Sequence, residues 1–312
     1  MKKVSIDGSN LKSYCELDIS GSKSESNRIL ILKSIFNNIK INNLSSSDDT
    51  SVLNHSLQNL NENIDVGHAG TSMRFLTAYL ATLENKKFII SGSDRMHQRP
   101  IGLLVDALNS LGFKVNYLKK RGFPPLEIIG SKNLHHEVVL KSHISSQFVS
   151  ALTLIAPSLD NGLRIILQDD ITSKPYINMT ISILNKIGVD ATFEKNLINV
   201  KPTKKINDII YDVESDWSSV SYFFSMVALT KNLKLSISNY KKESFQGDVN
   251  VCKYYETYGV KTVFEGNRLI ITKDETKNLP KKIEIDLNDN PDLAQTIICL
   301  LYTSPSPRDS SK

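Results

Sequence analysis

The chain has 312 residues, of which 40% are hydrophobic and 23% are charged, and its formal net charge at pH 7 is +5. This length and composition suit one large or two smaller globular domains and exclude collagen-like, disordered and strongly nucleic-acid-binding classes. No uncharged apolar run reaches the roughly 18 residues that a membrane span needs. The 3 cysteines show no CxxC spacing, which favours a reduced, cytoplasmic protein.

A small polar cluster followed by an amphipathic run recurs along the chain. The runs begin at Ser22, Gly70, Ser145, Trp217 and Pro291. The last four starts are almost evenly spaced, whereas the first two lie closer together. Self-similarity at a fixed period is the mark of a repeated supersecondary unit, so each start predicts the first helix of one unit.

A second amphipathic run follows three of these starts at a nearly constant offset, beginning at Arg99, Lys174 and Gly247. Its apolar residues recur at helical spacing, and each run ends at a glycine of the kind that terminates helices, namely Gly112, Gly188 and Gly259. Two strand-like segments come next in each copy. The sequence therefore predicts an α/β (α+β) fold of repeated helix–strand–helix–strand–strand units.

The predicted helix starts carry cations as well as serines. Lys23 and Arg28 flank a serine cluster, Arg74 follows Gly70, and Lys174 follows Ser173. A helix N-terminus presents unpaired N–H groups and a partial positive charge, and nearby Lys or Arg makes it a binding surface for phosphate or carboxylate. Helix capping in a purely structural repeat scaffold is the alternative explanation of the serines.

Eight motifs in this order make the chain resemble the 5-enolpyruvylshikimate-3-phosphate (EPSP) synthase family from about residue 1 to Leu301. They are GSKSESNRILIL, HAGTSMRFLTA, RMHQRPIGLLVDAL, ISSQFVSALTLIAP, SKPYINMT, VESDWSSVSYFF, FQGD and NPDLAQT. The resemblance implies two similar lobes, each of three units, with the substrates between them. The first lobe would comprise residues 21–213, and the second residues 1–20 with 214–301. The last unit of the second lobe would be missing, and residues 302–312 would be a disordered, non-native tail.

The family transfers the enolpyruvyl group of phosphoenolpyruvate to the 5-hydroxyl of shikimate-3-phosphate and releases phosphate, without a metal or cofactor. The resemblance therefore implies a cytoplasmic, monomeric transferase of small molecules, with neither nucleic acid nor membrane as a partner. The family has a further acidic and basic segment after the PDxAxT helix, which this sequence does not contain. We therefore expect the chain to bind shikimate-3-phosphate weakly and not to turn over. An inactive shikimate-3-phosphate-binding fragment and a UDP-N-acetylglucosamine enolpyruvyl transferase are the alternatives.

The resemblance also implies the site residues. Lys23 and Arg99 would bind phosphoenolpyruvate beside Gly70, and Asp292 would take the proton of the 5-hydroxyl, so that Lys23 and Asp292 are the catalytic candidates. The residues implied to contact shikimate-3-phosphate are Ser24, Arg28, Ser145, Ser146, Gln147, Ser173 and Tyr176. We leave His68, Arg74 and Arg95 outside the site and interpret Asp48, Asp49 and Asp216 as caps or hinge groups.

Overall fold

The computed structural model describes residues 12–140, 145–168, 173–277 and 283–303. It divides into two compact units. The larger unit is Ser20–Val213 with Phe245–Gly247, and the smaller unit is Met1–Ile19, Glu214–Ser244 and Asp248–Lys312. The lobes predicted from the sequence are 21–213 and 1–20 with 214–301. Residues 304–312, most of the predicted tail, lie outside the described residues.

The elements follow the predicted alternation. The α-helices of the described residues are α1 (Lys23–Ile35), α2 (Asp48–Gln58), α3 (Gly70–Ala81), α4 (Gly102–Ser110), α5 (Ser146–Ile155), α6 (Lys174–Lys186), α7 (Trp217–Leu229), α8 (Val251–Glu256) and α9 (Ala294–Thr303). The strands are β1 (Tyr14–Leu17), β2 (Ile39–Asn42), β3 (Asn63–Asp65), β4 (Lys87–Ser91), β5 (Lys114–Tyr117), β6 (Leu126–Ile129), β7 (Glu137–Leu140), β8 (Leu163–Leu167), β9 (Ala191–Glu194), β10 (Leu197–Val200), β11 (Ile209–Asp212), β12 (Lys234–Ser238), β13 (Val260–Glu265) and β14 (Arg268–Lys273).

Three four-stranded sheets share one topology, which confirms the repeat. Their strand orders are β3-β4-β6-β5, β7-β8-β10-β9 and β1-β12-β14-β13. In each sheet the first two strands are parallel and the other pairs are antiparallel. The predicted unit begins at its first helix and lacks the leading strand of each sheet, although β1 and β7 are as long as the predicted strands β5 and β6.

The first copy is shorter than the others. It contains α1, β2 and α2, and its β2 pairs in parallel with β11 in a two-stranded sheet. Among the described residues, this sheet lacks the two antiparallel strands that end the other copies. The difference accounts for the closer spacing of the first two helix starts, Ser22 and Gly70.

The second helix of each full copy ends in the same way. Gly112, Gly188 and Gly259 have φ angles of 98°, 93° and 75°, the left-handed conformation expected just after a helix. In two copies an asparagine also ties the helix to the next strand. The side chain of Asn109 accepts from and donates to the backbone of Val115, and Asn185 pairs with Ala191 in the same way.

The first helices of the copies form the core of the larger unit. Helix α3 is buried at every residue from Ser72 to Ala81, and α1 is buried from Glu25 to Leu32. Along these stretches both helices have neighbours on every side, and the residues at their N-termini are left accessible to a ligand. Across the described ranges, no helix is long and apolar enough to cross a membrane.

Candidate active site at the helix N-termini of the larger unit

The N-termini of four helices lie at one end of the larger unit. Arg28, in the second turn of α1, donates to Ser150 of α5 and to Thr180 of α6. Its guanidinium carbon lies 5.6 Å from the ring centre of Phe75 in α3. Each of these contacts joins a residue in the first two turns of α1 to a residue in the first two turns of another helix. Helices α1, α3, α5 and α6 therefore begin side by side. Four partial positive charges consequently meet at this end.

Helix α2 begins at the same place. The Thr50 hydroxyl donates to Asn27 of α1 at 2.7 Å, and the backbone N–H of Ser72 in α3 donates to Asp49 at 3.3 Å. Ser47 caps α2 by accepting from the Thr50 N–H. Asp49 thus has a structural role as an acceptor at the start of α3, in the first turn of its own helix.

The start of α1 presents the predicted phosphoenolpyruvate ligand. Ser22 caps the helix, its hydroxyl accepting from the Glu25 N–H at 3.4 Å. Lys23 is the first helical residue and its side chain is exposed, and Ser24 is half-buried beside it. The exposed cation therefore sits where the helix already offers unpaired N–H groups.

Arg28 has a different environment from Lys23. It is 2% exposed, and its guanidinium donates to the Thr180 hydroxyl at 2.7 Å, the Ser150 hydroxyl at 3.1 Å, and the carbonyls of Ser24 at 2.7 Å and Tyr176 at 3.2 Å. Burial lowers the pKa of Arg28 to about 10, which leaves it charged at neutral pH. Four of its five N–H groups are used within the protein, so Arg28 holds α1 against α5 and α6. Its contact with substrate stays a prediction.

Two guanidinium groups flank Gly70, the first residue of α3. A Cβ at Gly70 would lie 2.2 Å from Nη1 of Arg99, so only glycine permits this approach. From the next turn, Nη1 of Arg74 donates to the Gly70 carbonyl at 2.8 Å. Burial first, and then the charge of Arg99, lowers the pKa of Arg74 to about 10. A bound anion would relieve this repulsion between two like charges.

The sequence predicts that Arg99 opens helix α4. In the structure Arg99 lies before this helix instead. Pro100 follows, and Arg99 is extended, with φ −91° and ψ 123°, because a residue before proline is disfavoured in the helical conformation. Helix α4 begins at Gly102. The extended backbone brings the Arg99 side chain to Gly70.

A cavity of about 410 Å³ opens beside Arg99 and includes two residues that the sequence-based prediction leaves out of the site. It is lined by His68, Ser93, Arg95, Met96 and Arg99. Nδ1 of His68 lies 2.9 Å from the Ser93 hydroxyl, which fixes the ring. The signal available in the sequence was the close spacing of Arg95 and Arg99. In the structure the two residues lie on either side of a single 3₁₀ turn.

The starts of α5 and α6 present the predicted phosphate-binding serines. Ser145 caps α5, its hydroxyl accepting from the Gln147 N–H at 3.3 Å, and Ser146 is the first helical residue. The side-chain oxygen of Gln147 is buried and accepts no hydrogen bond within the described ranges. Ser173 precedes α6 in the left-handed conformation, with φ 62°, and its hydroxyl makes no capping bond. A hydroxyl not used for capping remains a donor for a ligand.

Asp292 belongs to the smaller unit. It is exposed in a 3₁₀ turn, Pro291–Leu293, directly before α9. Asp216 lies in the same unit and caps α7 by accepting from the Ser219 N–H at 2.8 Å. The prediction of Asp216 as a cap is thus confirmed.

The fold and the larger unit's site define a class: a repeat α/β protein whose converging helix N-termini, Lys23 and paired guanidinium groups suit small polyanions. In the part of the chain that the structure describes, no group of three or more His, Cys, Asp or Glu side chains is arranged to hold a metal ion.

Comparisons with known proteins assign the family. A family model described as EPSP synthase (3-phosphoshikimate 1-carboxyvinyltransferase) matches residues 60–304. A 3-phosphoshikimate 1-carboxyvinyltransferase of Bacteroides fragilis (strain YCH46) is 37% identical over 292 residues, which cover 93% of this chain and 70% of the relative. That of Pseudoalteromonas translucida (strain TAC 125) is 33% identical, covering 92% and 73%. The chain belongs to the EPSP synthase family.

A solved structure shows the same fold. EPSP synthase from Acinetobacter baumannii superimposes with a TM-score of 0.73 at 17% sequence identity, covering 92% of this chain and 71% of that one. The resemblance inferred from the eight motifs is therefore confirmed, and the UDP-N-acetylglucosamine alternative is not favoured. This chain spans about 70% of the length of the relatives that it matches.

Proposed function

We propose that the chain acts as a 3-phosphoshikimate 1-carboxyvinyltransferase, moving the enolpyruvyl group of phosphoenolpyruvate to the 5-hydroxyl of shikimate-3-phosphate and releasing phosphate. The observation that carries this proposal is the pair of guanidinium groups at Gly70, at the same cationic end of the larger unit at which helix α1 begins with the exposed Lys23. Both substrates are polyanions, so their binding needs fixed positive charge to offset their mutual repulsion.

Phosphoenolpyruvate carries a phosphate and a carboxylate on three carbons, and we assign it to Lys23, Gly70 and Arg99. Arg74 donates a hydrogen bond to the Gly70 carbonyl. Its positive charge adds to the site without a direct contact with the ligand. A preorganised cationic cradle stabilises charge that develops during the reaction at no reorganisation cost. These features support the assignment of Lys23 as a catalytic group.

Shikimate-3-phosphate is assigned to the starts of α1, α5 and α6. We propose that Ser145, Ser146 and Ser173 bind its phosphate, where helix N–H groups add to the hydroxyls. The side-chain oxygen of Gln147 is buried and has no hydrogen-bond partner among the described residues, which makes it an acceptor suited to a ring hydroxyl. Ser24, Arg28 and Tyr176 complete the proposed set.

In the proposed chemistry the methylene carbon of phosphoenolpyruvate gains a proton, and the 5-hydroxyl oxygen bonds to the neighbouring cationic carbon. Asp292 accepts the hydroxyl proton. Loss of a proton from the new methyl group and departure of phosphate then restore the double bond. We propose no metal or cofactor for these steps, and a monomeric cytoplasmic enzyme.

A second candidate function is binding of shikimate-3-phosphate without turnover. The matching family and the relatives named above, which are transferases, do not favour it over the proposed activity. It stays testable, because the proposed shikimate-3-phosphate ligands in the larger unit are all among the described residues.

Phosphate release with both substrates, and thermal stabilisation by shikimate-3-phosphate alone, separate the two candidates. Lys23→Met should lower phosphate release by at least about 30-fold, because a lost charged partner in a desolvated site costs about 2–5 kcal/mol. Lys33→Met, at an exposed position in the last turn of the same helix, is the matched control and should change little. Stabilisation without phosphate release supports the second function, and a chain that shows neither response contradicts both.

A further inference from the structure

A buried carboxylate in the smaller unit lies at the centre of a polar network that the proposed chemistry does not use. Asp248, from the FQGD motif, is 5% exposed. The Ser218 hydroxyl, in the first turn of α7, donates to its Oδ2 atom. The side-chain amide of Asn290 donates to its Oδ1 atom at 3.1 Å. The carboxylate thus joins the start of α7 to the segment that precedes α9.

Asn290 is fully buried and directly precedes the turn that carries Asp292. Its Oδ1 atom accepts from the side-chain amide of Asn250 and from the Tyr254 hydroxyl, both at 3.0 Å. Its own carbonyl accepts from the Leu293 N–H at 3.1 Å, which closes the turn. The position of Asp292 is therefore set by how Asn290 is held.

Among the described residues, no positive charge is found to offset the charge of Asp248. The two charged groups that act on it, Asp292 and Asp216, are both acidic, and its hydrogen-bond partners Ser218 and Asn290 are neutral. Burial first, and then these two acids, raises the pKa of Asp248 to about 6 although its two hydrogen bonds oppose the shift. A side-chain amide of the same shape would avoid the free-energy cost of burying this charge. Uncompensated buried charge is typical of functional sites.

We propose that Asp248 and Asn290 are positioning residues, which together hold the Pro291–Leu293 turn so that the Asp292 carboxylate has a fixed place and orientation. The inference rests on the proposed function, in which Asp292 accepts the hydroxyl proton. The Asp248 carboxylate accepts a hydrogen bond from the side-chain amide of Asn290. This bond orients the side-chain oxygen of Asn290 towards Asn250 and Tyr254. Neither positioning residue touches substrate in this assignment.

Substitutions of Asn290 and Asp248 in the full chain test the proposal by two measurements: hydrogen exchange of the amides of residues 290–296, and phosphate release with both substrates. Asn290→Asp removes the amide donor and sets two carboxylates against each other at high pH. We expect exchange at least 10-fold faster than in the wild type at pH 8. At pH 5.5 one proton shared by the pair restores a donor, so the difference should shrink once intrinsic exchange rates are corrected.

Asp248→Ala should accelerate the same exchange and lower kcat more than it raises either KM. Asp248→Asn keeps an acceptor for Asn290 and should fall between Asp248→Ala and the wild type. Asn288→Asp is the matched control, since this residue is exposed two positions before Asn290 and adds the same charge. It should leave exchange and turnover unchanged.

The outcomes are distinct. Wild-type exchange in both Asn290→Asp and Asp248→Ala, or equal effects from Asn288→Asp, would overturn the positioning role. An Asn290→Asp defect that does not depend on pH would also count against it, because a merely structural role predicts no recovery. A wild-type chain without phosphate release contradicts the proposed activity, while the exchange measurements still decide whether Asp248 and Asn290 hold the turn.

Discussion

Burial decides what each of the cations at the larger unit's site can do. Lys23 and Arg28 belong to one motif and one helix, yet Lys23 is exposed and Arg28 is 2% exposed with four protein acceptors. A charged group that is desolvated and fully hydrogen-bonded contributes to the fold, whereas an exposed one contributes little to stability and is accessible to a ligand.

Arg28→Lys should lower the free energy of unfolding of the larger unit by about 2 kcal/mol, since a lysine cannot reproduce the planar fork that reaches Ser150 and Thr180 together. Lys23→Met should change the same quantity by less than about 0.5 kcal/mol. Urea denaturation followed by far-ultraviolet circular dichroism measures both. Equal losses in the two variants would contradict the structural role of Arg28.

Gly70→Ala should displace Arg99 and weaken phosphoenolpyruvate binding by about 10-fold or more, the loss expected when one charge-assisted hydrogen bond is removed. The clash involves the end of a flexible side chain, so the melting temperature should change little. Calorimetric titration of phosphoenolpyruvate in the presence of shikimate-3-phosphate measures the affinity. Gly102→Ala is the control, because its Cβ would meet the Gly122 Cα at 3.3 Å, a tight contact but not the clash of 2.2 Å found at Gly70. Unaltered affinity in Gly70→Ala would remove the steric argument.

At the scale of the element, the first helices of two repeat copies, α3 in the larger unit and α7 in the smaller unit, differ in how much of their surface is covered. Helix α3 is buried at every residue from Ser72 to Ala81. Helix α7 buries Val220, Phe224 and Val227 but leaves Tyr222, Met226 and Leu229 at least half exposed. A large hydrophobic side chain on α7 therefore matters for stability only on its covered face.

Phe224→Ala should destabilise the smaller unit by about 3–5 kcal/mol, because a fully buried ring in contact with Tyr255 is replaced by a cavity. Met226→Ala, two residues further along the same helix and 53% exposed, should cost less than about 0.5 kcal/mol. Trp217 is the chain's single tryptophan and is buried in this unit, so its fluorescence during denaturation reports both values. Similar losses in the two variants would show that the Met226 side chain is covered.

At the scale of the whole molecule, stability depends on pH through Asp248. The ordinary pKa of this carboxyl is 3.8 and the folded value is about 6. Well below pH 3.8 the group is protonated in both the folded and the unfolded chain and imposes no penalty. As pH rises towards 6, the unfolded chain releases the proton first, so the folded state loses stability.

Asp248→Asn should therefore raise the free energy of unfolding by about 3 kcal/mol at pH 8 and by less than about 1 kcal/mol at pH 4. Denaturation followed by Trp217 fluorescence at the two pH values tests this. Asp289→Asn, at an exposed position, is the control. A gain that is equal at pH 4 and pH 8 would show that the carboxylate's charge is not responsible.

Local pattern was sufficient for much of the fold. The helix starts, the terminal glycines and the paired strands repeat at short range, and each depends on caps, φ angles and apolar spacing that a few neighbouring residues determine. The leading strands β1, β3 and β7 escape prediction although β1 and β7 are as long as the predicted β5 and β6. They lie outside the helix–strand–helix–strand–strand period, and β1 becomes part of a sheet only by pairing with β12, far along the chain.

The sequence by itself determined the repeat, the family and the identities of the candidate ligands, because these depend on which residues follow one another. Only the tertiary structure decided that Arg28 is buried between three helices, that Arg99 lies against Gly70, and that Asp248 holds Asn290. Each of these facts joins residues that are far apart in the chain. Burial and charge at such sites depend on packing between distant segments, which no local pattern records.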